Sequence, residues 1–332
     1  MRAFGKWLGR ILLVLVLLGG ALWLWPRDSR LAPPAFDAAA LPADLDGWLA
    51  ARESVFTDLV PGTQKRVIWA DAPGVKTPLS VVYVHGFSSS SEETRPVPDM
   101  LAEALGANLY FTRLAGHGRG AAPLGAASAD DWMTDLAEAL AIGARIGDRV
   151  VVVATSTGAS VVLAGLGTPD LRAAMPAADK VAGIAMISPN LRLASAVNGA
   201  VLDLPLAERF VPGLIGAEQD WPARNAEHAR YWTLRYPTAA LFPMAKAMRA
   251  ARAADPGLVT APLLVLTSPD DVVVSPAATE EMAAGWGGRV DRESWPLRPG
   301  MDHEAHVIAG DIRSPGMTKA VADRITIWAE GL

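Results

Sequence analysis

The sequence predicts an α/β protein, a mostly parallel central sheet with helices on both faces. Three observations carry that expectation. Residues 150–153 are four consecutive valines, a continuous β-branched run that suits a strand buried on both faces of a parallel sheet. Apolar runs of this kind alternate along the chain with segments of helical periodicity, the order that crossover helices impose. His85, His117 and Ser156 all fall where such strands end, and open parallel sheets bind their ligands beyond the carboxyl ends of the strands.

At 332 residues the chain has room for one large α/β domain with an insertion, or for two smaller domains. Hydrophobic residues make up 51% and charged residues 20%, with a formal net charge of -5. That mildly acidic balance, without a Lys/Arg stripe, gives no electrostatic footprint for nucleic acid. With no cysteine, disulfides, thiol catalysis and thiolate metal sites are excluded.

Taken in order, residues 1–30 stand apart from the fold. Arg2, Lys6 and Arg10 precede an uncharged run from Ile11 to Trp25. That run is short for a hydrocarbon core of roughly 30 Å. Extension back to Trp7, with Arg10 snorkelling and Trp7, Trp23 and Trp25 at the interfaces, would let it span. The expectation is an uncleaved membrane signal anchor, basic end inside, with the remainder on the non-cytoplasmic side. The competing reading is a signal peptide cleaved at Gly19-Gly20-Ala21. Residues 31–64 read as linker and lead-in, rich in Ala and Pro over Leu31 to Ala43.

The body then opens with strands at Lys65 to Ala70 and Leu79 to Val84, separated by a turn-rich Asp71 to Val75. The second runs into His85-Gly86-Phe87-Ser88, where the Phe87 N–H could face developing negative charge; a plain glycine turn reads equally well. A helix over Glu92 to Leu105 and a strand over Asn108 to Leu114 lead to Ala115-Gly116-His117-Gly118. Ser128 and Asp130 precede a helix carrying Trp132, Leu136 and Leu140 at i, i+4, i+8, a core-facing stripe that makes Trp132 a packing residue.

Val150 to Gly158 reads V-V-V-V-A-T-S-T-G, and Val161, Val162, Leu163 and Leu166 start a helix after it. Ser156 therefore sits on a tight strand-to-helix turn, a nucleophile elbow. Ala154 and Gly158 leave room for the close approach of the two backbones. Alone the motif is weak, because Ser, Thr and Gly also make ordinary loops and caps.

Val181 to Ser188 gives another buried strand. Residues 191–260 break the alternation with helical periodicity and a dense apolar run that includes Tyr231, Trp232, Leu234, Tyr236, Leu241, Phe242 and Met244. An insertion here would form a helical lid over the sheet edge, or an extra packed layer without substrate contact. The sheet resumes at Pro262 to Leu266. Asp270 and Asp271 follow, then a helix near Ala277 to Gly285 and a strand near Arg289 to Trp295. Asp302-His303-Glu304-Ala305-His306-Val307-Ile308 comes next, and a final helix carries Val321, Ile325 and Trp328. The expected organisation is an α/β core over 65–190 and 261–332, interrupted by the lid at 191–260.

A serine on an elbow, an acid after a later strand and a late histidine give the Ser, Asp, His chain order of α/β-hydrolases. From Lys65 to Leu332 the chain resembles serine hydrolases of that superfamily, in the monoacylglycerol lipase and carboxylesterase-like group. The markers are H-G-F-S at 85–88, L-A-G-H-G at 114–118, A-T-S-T-G at 154–158, D-D-V-V-V-S-P at 270–276 and H-V-I at 306–308. Departures stand at Ala154, Thr155, Thr157 and Ser268, and they bear on substrate preference more than on catalysis.

The resemblance implies an α/β-hydrolase fold and a carboxylic ester hydrolase without a cofactor. Ser156 would be the nucleophile, and the family's spacing favours Asp271 over Asp270 as the acid and His306 over His303 as the base. The N–H groups of Phe87 and Thr157 would hold the oxyanion, and Trp232, Tyr231 and Phe242 would line an acyl pocket. Expected substrates are acylglycerols or similar esters. A thioester, amide or carbon–carbon substrate, or a non-catalytic binding protein on the same scaffold, remains an alternative. His303 and His306 form an H-x-x-H pair, but a third ligand of matching spacing is missing, so no metal is expected. His117 reads as structural and His228 as a surface residue of the lid.

Overall fold

The computed structural model describes residues 2–24 and 28–332. Seven strands form the main sheet: β1 (Arg66–Ile68), β2 (Thr77–Val84), β3 (Asn108–Phe111), β4 (Gly147–Thr155), β5 (Val181–Ile187), β8 (Leu263–Thr267) and β9 (Val290–Ser294), in the order β1-β3-β2-β4-β5-β8-β9. Within this sheet only β1 runs antiparallel to its neighbour. A separate two-stranded ribbon pairs β6 (Glu218–Asp220) with β7 (Arg235–Pro237).

The helices are α1 (Arg2–Leu24), α2 (Leu45–Glu53), α3 (Val97–Leu105), α4 (Ala121–Ala126), α5 (Ala129–Ile146), α6 (Thr157–Gly167), α7 (Pro169–Ala174), α8 (Ala196–Leu202), α9 (Ala207–Ile215), α10 (Ala226–Tyr231), α11 (Leu241–Ala253), α12 (Pro276–Ala284) and α13 (Thr318–Ala329).

The valine run shows why the sheet is covered on both sides. Val150 and Val152 enter a core with Trp132, Leu136 and Leu140 of α5 and Val161 of α6. Val151 and Val153 enter a second core with Leu101 of α3 and Val321, Ile325 and Trp328 of α13. Adjacent side chains of a strand point to opposite faces, so a strand between two layers must be apolar at every position. Each such buried valine contributes about 1.5–3 kcal/mol. Ser128 starts α5 with a reciprocal capping box to Asp131.

Three stretches differ from expectation. Residues 92–96 stay outside α3, because proline suits a first turn and not a helix interior; Pro98 occupies that turn. The 191–260 segment contains the β6–β7 ribbon as well as helices. The lead-in is packed, not free: Leu31, Leu45 and Leu49 enter the core beside α5, and Ala32 N–H donates to Asp130 at 2.9 Å.

The membrane anchor is corrected. Among the described residues no helix is long and apolar enough to cross a membrane. In α1 the basic residues Arg2, Lys6 and Arg10 occupy the first turns, and the uncharged remainder from Ile11 to Leu24 rises only about 21 Å against a hydrocarbon core of roughly 30 Å. Trp25, part of the expected anchor, lies outside the described residues. The expectations of a single-pass protein, of membrane partnership through residues 1–30 and of a non-cytoplasmic catalytic domain are withdrawn with it.

Candidate active site

Ser156 joins β4 to α6 with φ +51° and ψ −117°, a conformation that costs a non-glycine residue about 1–3 kcal/mol unless its surroundings impose it. The surroundings do so from both sides. Ser156 N–H donates to Ile187 O at 2.9 Å, and its carbonyl accepts from Asn190 N–H at 3.1 Å, which ties the turn to the end of β5. At Gly158 a Cβ would stand 2.3 Å from Val84 O, so only glycine lets α6 approach β2 this closely. Ala154, on the other side of the serine, is fully buried.

His306 comes from the loop between β9 and α13 and Asp271 from the loop after β8. His306 Nε2 lies 3.0 Å from Ser156 Oγ, across 150 positions of sequence, and Nδ1 lies 2.9 Å from Asp271 Oδ2. With the proton on Nδ1, the imidazole donates to Asp271 and accepts from the Ser156 hydroxyl; this tautomer follows from the acceptor-only carboxylate. Asp271 Oδ1 accepts the N–H groups of Val273 at 2.8 Å and Val274 at 2.9 Å. Burial disfavours the His306 imidazolium, but the charge and hydrogen bond of Asp271, with Glu93 and Asp302 behind, raise its pKa above the usual histidine value.

Neighbouring candidates turn away. Asp270 is exposed and accepts the Leu297 N–H at 2.8 Å. His303 is largely in solvent, 3.2 Å from Asp302, and does not join His306 around an ion. Asp302, His303 and Glu304 place ligand-type atoms within 4.8 Å of one another, yet Arg313 donates to both carboxylates at 2.5 and 2.9 Å and Arg224 lies 3.8 Å from Glu304, so cations of the chain already engage them.

Of the two N–H groups expected to face an oxyanion, neither that of Phe87 nor that of Thr157 has a protein acceptor among the described residues. Phe87 packs edge-to-face on His117 and Tyr236. His85 holds the turn beneath: its Nδ1 donates to Gly86 O at 2.8 Å and its Nε2 accepts the Leu114 N–H at 3.1 Å. His117 is buried with Nδ1 3.2 Å from the carbonyls of Leu114 and Ala115, which pins the glycine loop after β3.

The 191–260 segment lies directly on this turn, since Thr233 N–H donates to Ser88 O at 2.7 Å. Trp232 precedes that contact and stacks edge-on against His228 at 4.9 Å. Tyr231 lies against Gly62, and Phe242, at the start of α11, belongs to the core beneath the segment. His228, read as a surface residue, is corrected: it is 3% exposed. Its Nδ1 faces the Arg224 N–H at 3.1 Å and its Nε2 faces Arg313 at 3.0 Å. Burial, then the charge of Arg313, lowers its pKa to about 4. One histidine in a polar α10 carries no periodicity signal, so its burial was invisible locally.

The alpha/beta hydrolase family matches residues 81–311, a span that contains Ser156, Asp271 and His306. The chain belongs to the alpha/beta hydrolase family. Among curated proteins this hydrolase has no significant sequence match. Similar solved structures include one from a study of LipS and LipT, two metagenome-derived lipolytic enzymes, at 22% identity and TM-score 0.62, covering 82% of this chain and 100% of that one. The monoacylglycerol lipase of Paleococcus ferrophilus is 17% identical with TM-score 0.52, over 80% of this chain and 96% of that one. A soluble variant of the monoglyceride lipase of Saccharomyces cerevisiae, in complex with a substrate analog, is 12% identical with TM-score 0.58, over 81% of this chain and 90% of that one. At these identities the likeness concerns the fold: a mostly parallel sheet flanked by helices.

The hydrolase site also contains polar residues that the sequence did not single out. Asn190 Nδ2 donates to Thr157 Oγ1 at 3.2 Å. Glu93 reaches the Gly86 N–H, although nothing in the S-S-S-S-E-E run separates it from Glu92, which pairs with Arg66 and Arg95 instead.

Proposed function

We propose that this hydrolase cleaves carboxylic esters through an acyl-enzyme on Ser156. The observation that carries the reading is the continuous relay from Ser156 Oγ through His306 to Asp271 at 3.0 and 2.9 Å. His306 takes the hydroxyl proton as Oγ attacks the acyl carbon, and returns it to the leaving alkoxide. Asp271 holds the tautomer and stabilises the imidazolium. The N–H groups of Phe87 and Thr157 receive the oxyanion, a role in which one lost donor costs 10²–10³ in kcat, by order of magnitude. Water then resolves the acyl-enzyme.

Acylglycerols or similar esters with an apolar acyl chain are the proposed substrates. Support comes from the lipolytic and monoacylglycerol lipase structures of like fold and from the apolar segment on the oxyanion turn. That segment, 191–260, is proposed as a lid, because Thr233 docks on Ser88 of the turn and Ser156 and His306 are only 5% and 9% exposed. Trp232, beside the Thr233 contact, is the best-placed of the three acyl-pocket residues, ahead of Tyr231 and Phe242. A thioester, amide or carbon–carbon substrate would use the same relay.

The test joins labelling to turnover. A fluorophosphonate probe should label the wild type and His303→Ala, and should fail on Ser156→Ala and His306→Ala, because serine is a weak nucleophile without its base. p-Nitrophenyl esters of graded length, run beside a monoacylglycerol, then rank the acyl chains. Absence of labelling in the wild type would leave a binding protein on a hydrolase scaffold.

A further inference from the structure

Glu93 is a buried carboxylate that the relay above does not use, and it stands where three parts of the site meet. Its side chain is 3% exposed. Oε2 accepts the Gly86 N–H at 2.6 Å and the Tyr83 hydroxyl at 3.3 Å. The same Tyr83 oxygen lies 3.3 Å from Thr155 Oγ1. One carboxylate therefore braces the peptide that precedes Phe87 and, through Tyr83, the residue that precedes Ser156.

Packing at Gly86 makes the brace tight. A Cβ there would lie 2.7 Å from Glu93 Oε1 and 3.0 Å from Ser156 Cβ, so carboxylate and nucleophile press on the same α-carbon. The third junction is with the histidine loop. A Cβ on Gly310, four positions after His306, would lie 2.5 Å from Glu93 O, and Asp311 N–H donates to Arg95 O at 2.9 Å.

The charges that act on His306 are those of Asp271 from the loop after β8, Glu93 from the segment before α3 and Asp302 from its own loop. Those facing Glu93 are Gly86, Tyr83, Ser89 and His306. Burial pushes the Glu93 carboxyl above its usual range, against the pull of the Gly86 N–H and the His306 charge. A buried carboxylate costs stability unless it is paired, and titratable groups held at such cost cluster where chemistry occurs.

We propose that Glu93 is a positioning residue of this site. It holds the His85–Gly86 peptide, one position before the Phe87 N–H, in register with Ser156, and it adds a further negative charge behind the imidazolium that forms on His306. The proposal rests on the Ser156 ester-hydrolase reading and deepens it. The two effects are separable. Glu93→Gln keeps an acceptor for the Gly86 N–H and removes the charge; Glu93→Asp keeps the charge and withdraws the acceptor by one methylene.

The experiment measures kcat and KM for a short p-nitrophenyl ester across pH, per serine titrated with fluorophosphonate, with Tm recorded for each variant. For Glu93→Gln the expected result is a fall in kcat of roughly tenfold at little change in KM, with the acidic limb of kcat/KM displaced downward by roughly 0.5–1 pH unit. For Glu93→Asp the limb should stay in place while kcat falls. A merely structural role would lower Tm and the labelled fraction but leave both the limb and the turnover per labelled serine at wild-type values, and that result overturns the proposal. If Glu93→Gln does not fold, Glu93→Asp decides: wild-type kcat per labelled serine overturns it. Ser156→Ala in the same assay keeps the two readings apart, since retained turnover there defeats the Ser156 assignment itself.

Discussion

Asp270 and Asp271 are adjacent and chemically identical, yet only Asp271 has both oxygens occupied by partners that orient it, Val273 and Val274 N–H on one and His306 on the other. Asp270 spends its carboxylate on a surface loop at Leu297. Asp271→Asn should therefore lower kcat by about 10⁴, because the amide would stabilise the wrong imidazole tautomer, while Asp270→Asn changes it little. Steady-state kinetics of the two variants checks this, and the reverse order would move the acid one residue upstream. The raised pKa of His306 makes a second prediction. In the proposed role of base His306 works only when neutral, so kcat/KM should fall as pH drops through the folded-state pKa, with the midpoint above 6.5, the ordinary histidine value. The sign for stability is opposite. A proton held more tightly in the folded state stabilises it below the unfolded pKa, and that contribution disappears as pH rises through the folded one.

At the scale of elements, the strand-to-helix turn and the segment over it govern access and geometry. The elbow was legible because its steric demand is local: small residues around one serine, a valine strand before and an apolar helix after. The histidine loop was less so. His303 and His306 sit three apart in a turn without period, and their separation into an exposed and a relay residue depends on Asp302, which caps the loop through Val307 N–H at 3.2 Å. The break in alternation over 191–260 was legible, but its ribbon was hidden, since three-residue strands have no alternation to detect. Trp232→Ala should weaken use of long acyl chains by about 1–3 kcal/mol while sparing acetate esters, the discrimination a hydrophobic pocket provides. Plotting kcat/KM against chain length checks it; a uniform loss would assign Trp232 to packing against His228.

For the whole molecule, the boundary of the folded body is the testable quantity. Leu31, Leu45 and Leu49 are core residues, and Glu53 pairs with the buried Arg113 through two contacts of 2.7 Å. A chain that starts at Asp28 should keep the wild-type Tm and short-ester kcat. One that starts at Lys65 retains every strand but leaves Arg113 without Glu53, a loss of about 3–5 kcal/mol for a broken buried pair, besides the missing leucines. Such a chain should be unfolded or aggregated at room temperature, as thermal melts and light scattering would register. Equal stability of the two chains would place residues 28–64 outside the cooperative unit.

What the amino-acid order determined by itself is whatever repeats within a few residues. The two-sided valine strand, the α5 stripe, the small residues of the elbow and the strand ends that carry His85 and Ser156 are local patterns with local causes. The resemblance favoured Asp271 and His306 by spacing, but tertiary structure alone decided that their side chains turn toward Ser156, that Glu93 rather than Glu92 points beneath Gly86, that His228 is buried against Arg313, and that Leu31, Leu45 and Leu49 of the lead-in enter the core. Each of these turns on groups far apart in sequence, 150 positions in the case of Ser156 and His306. Sheet register and layer packing set such distances, and neither leaves a periodic trace in the residues concerned.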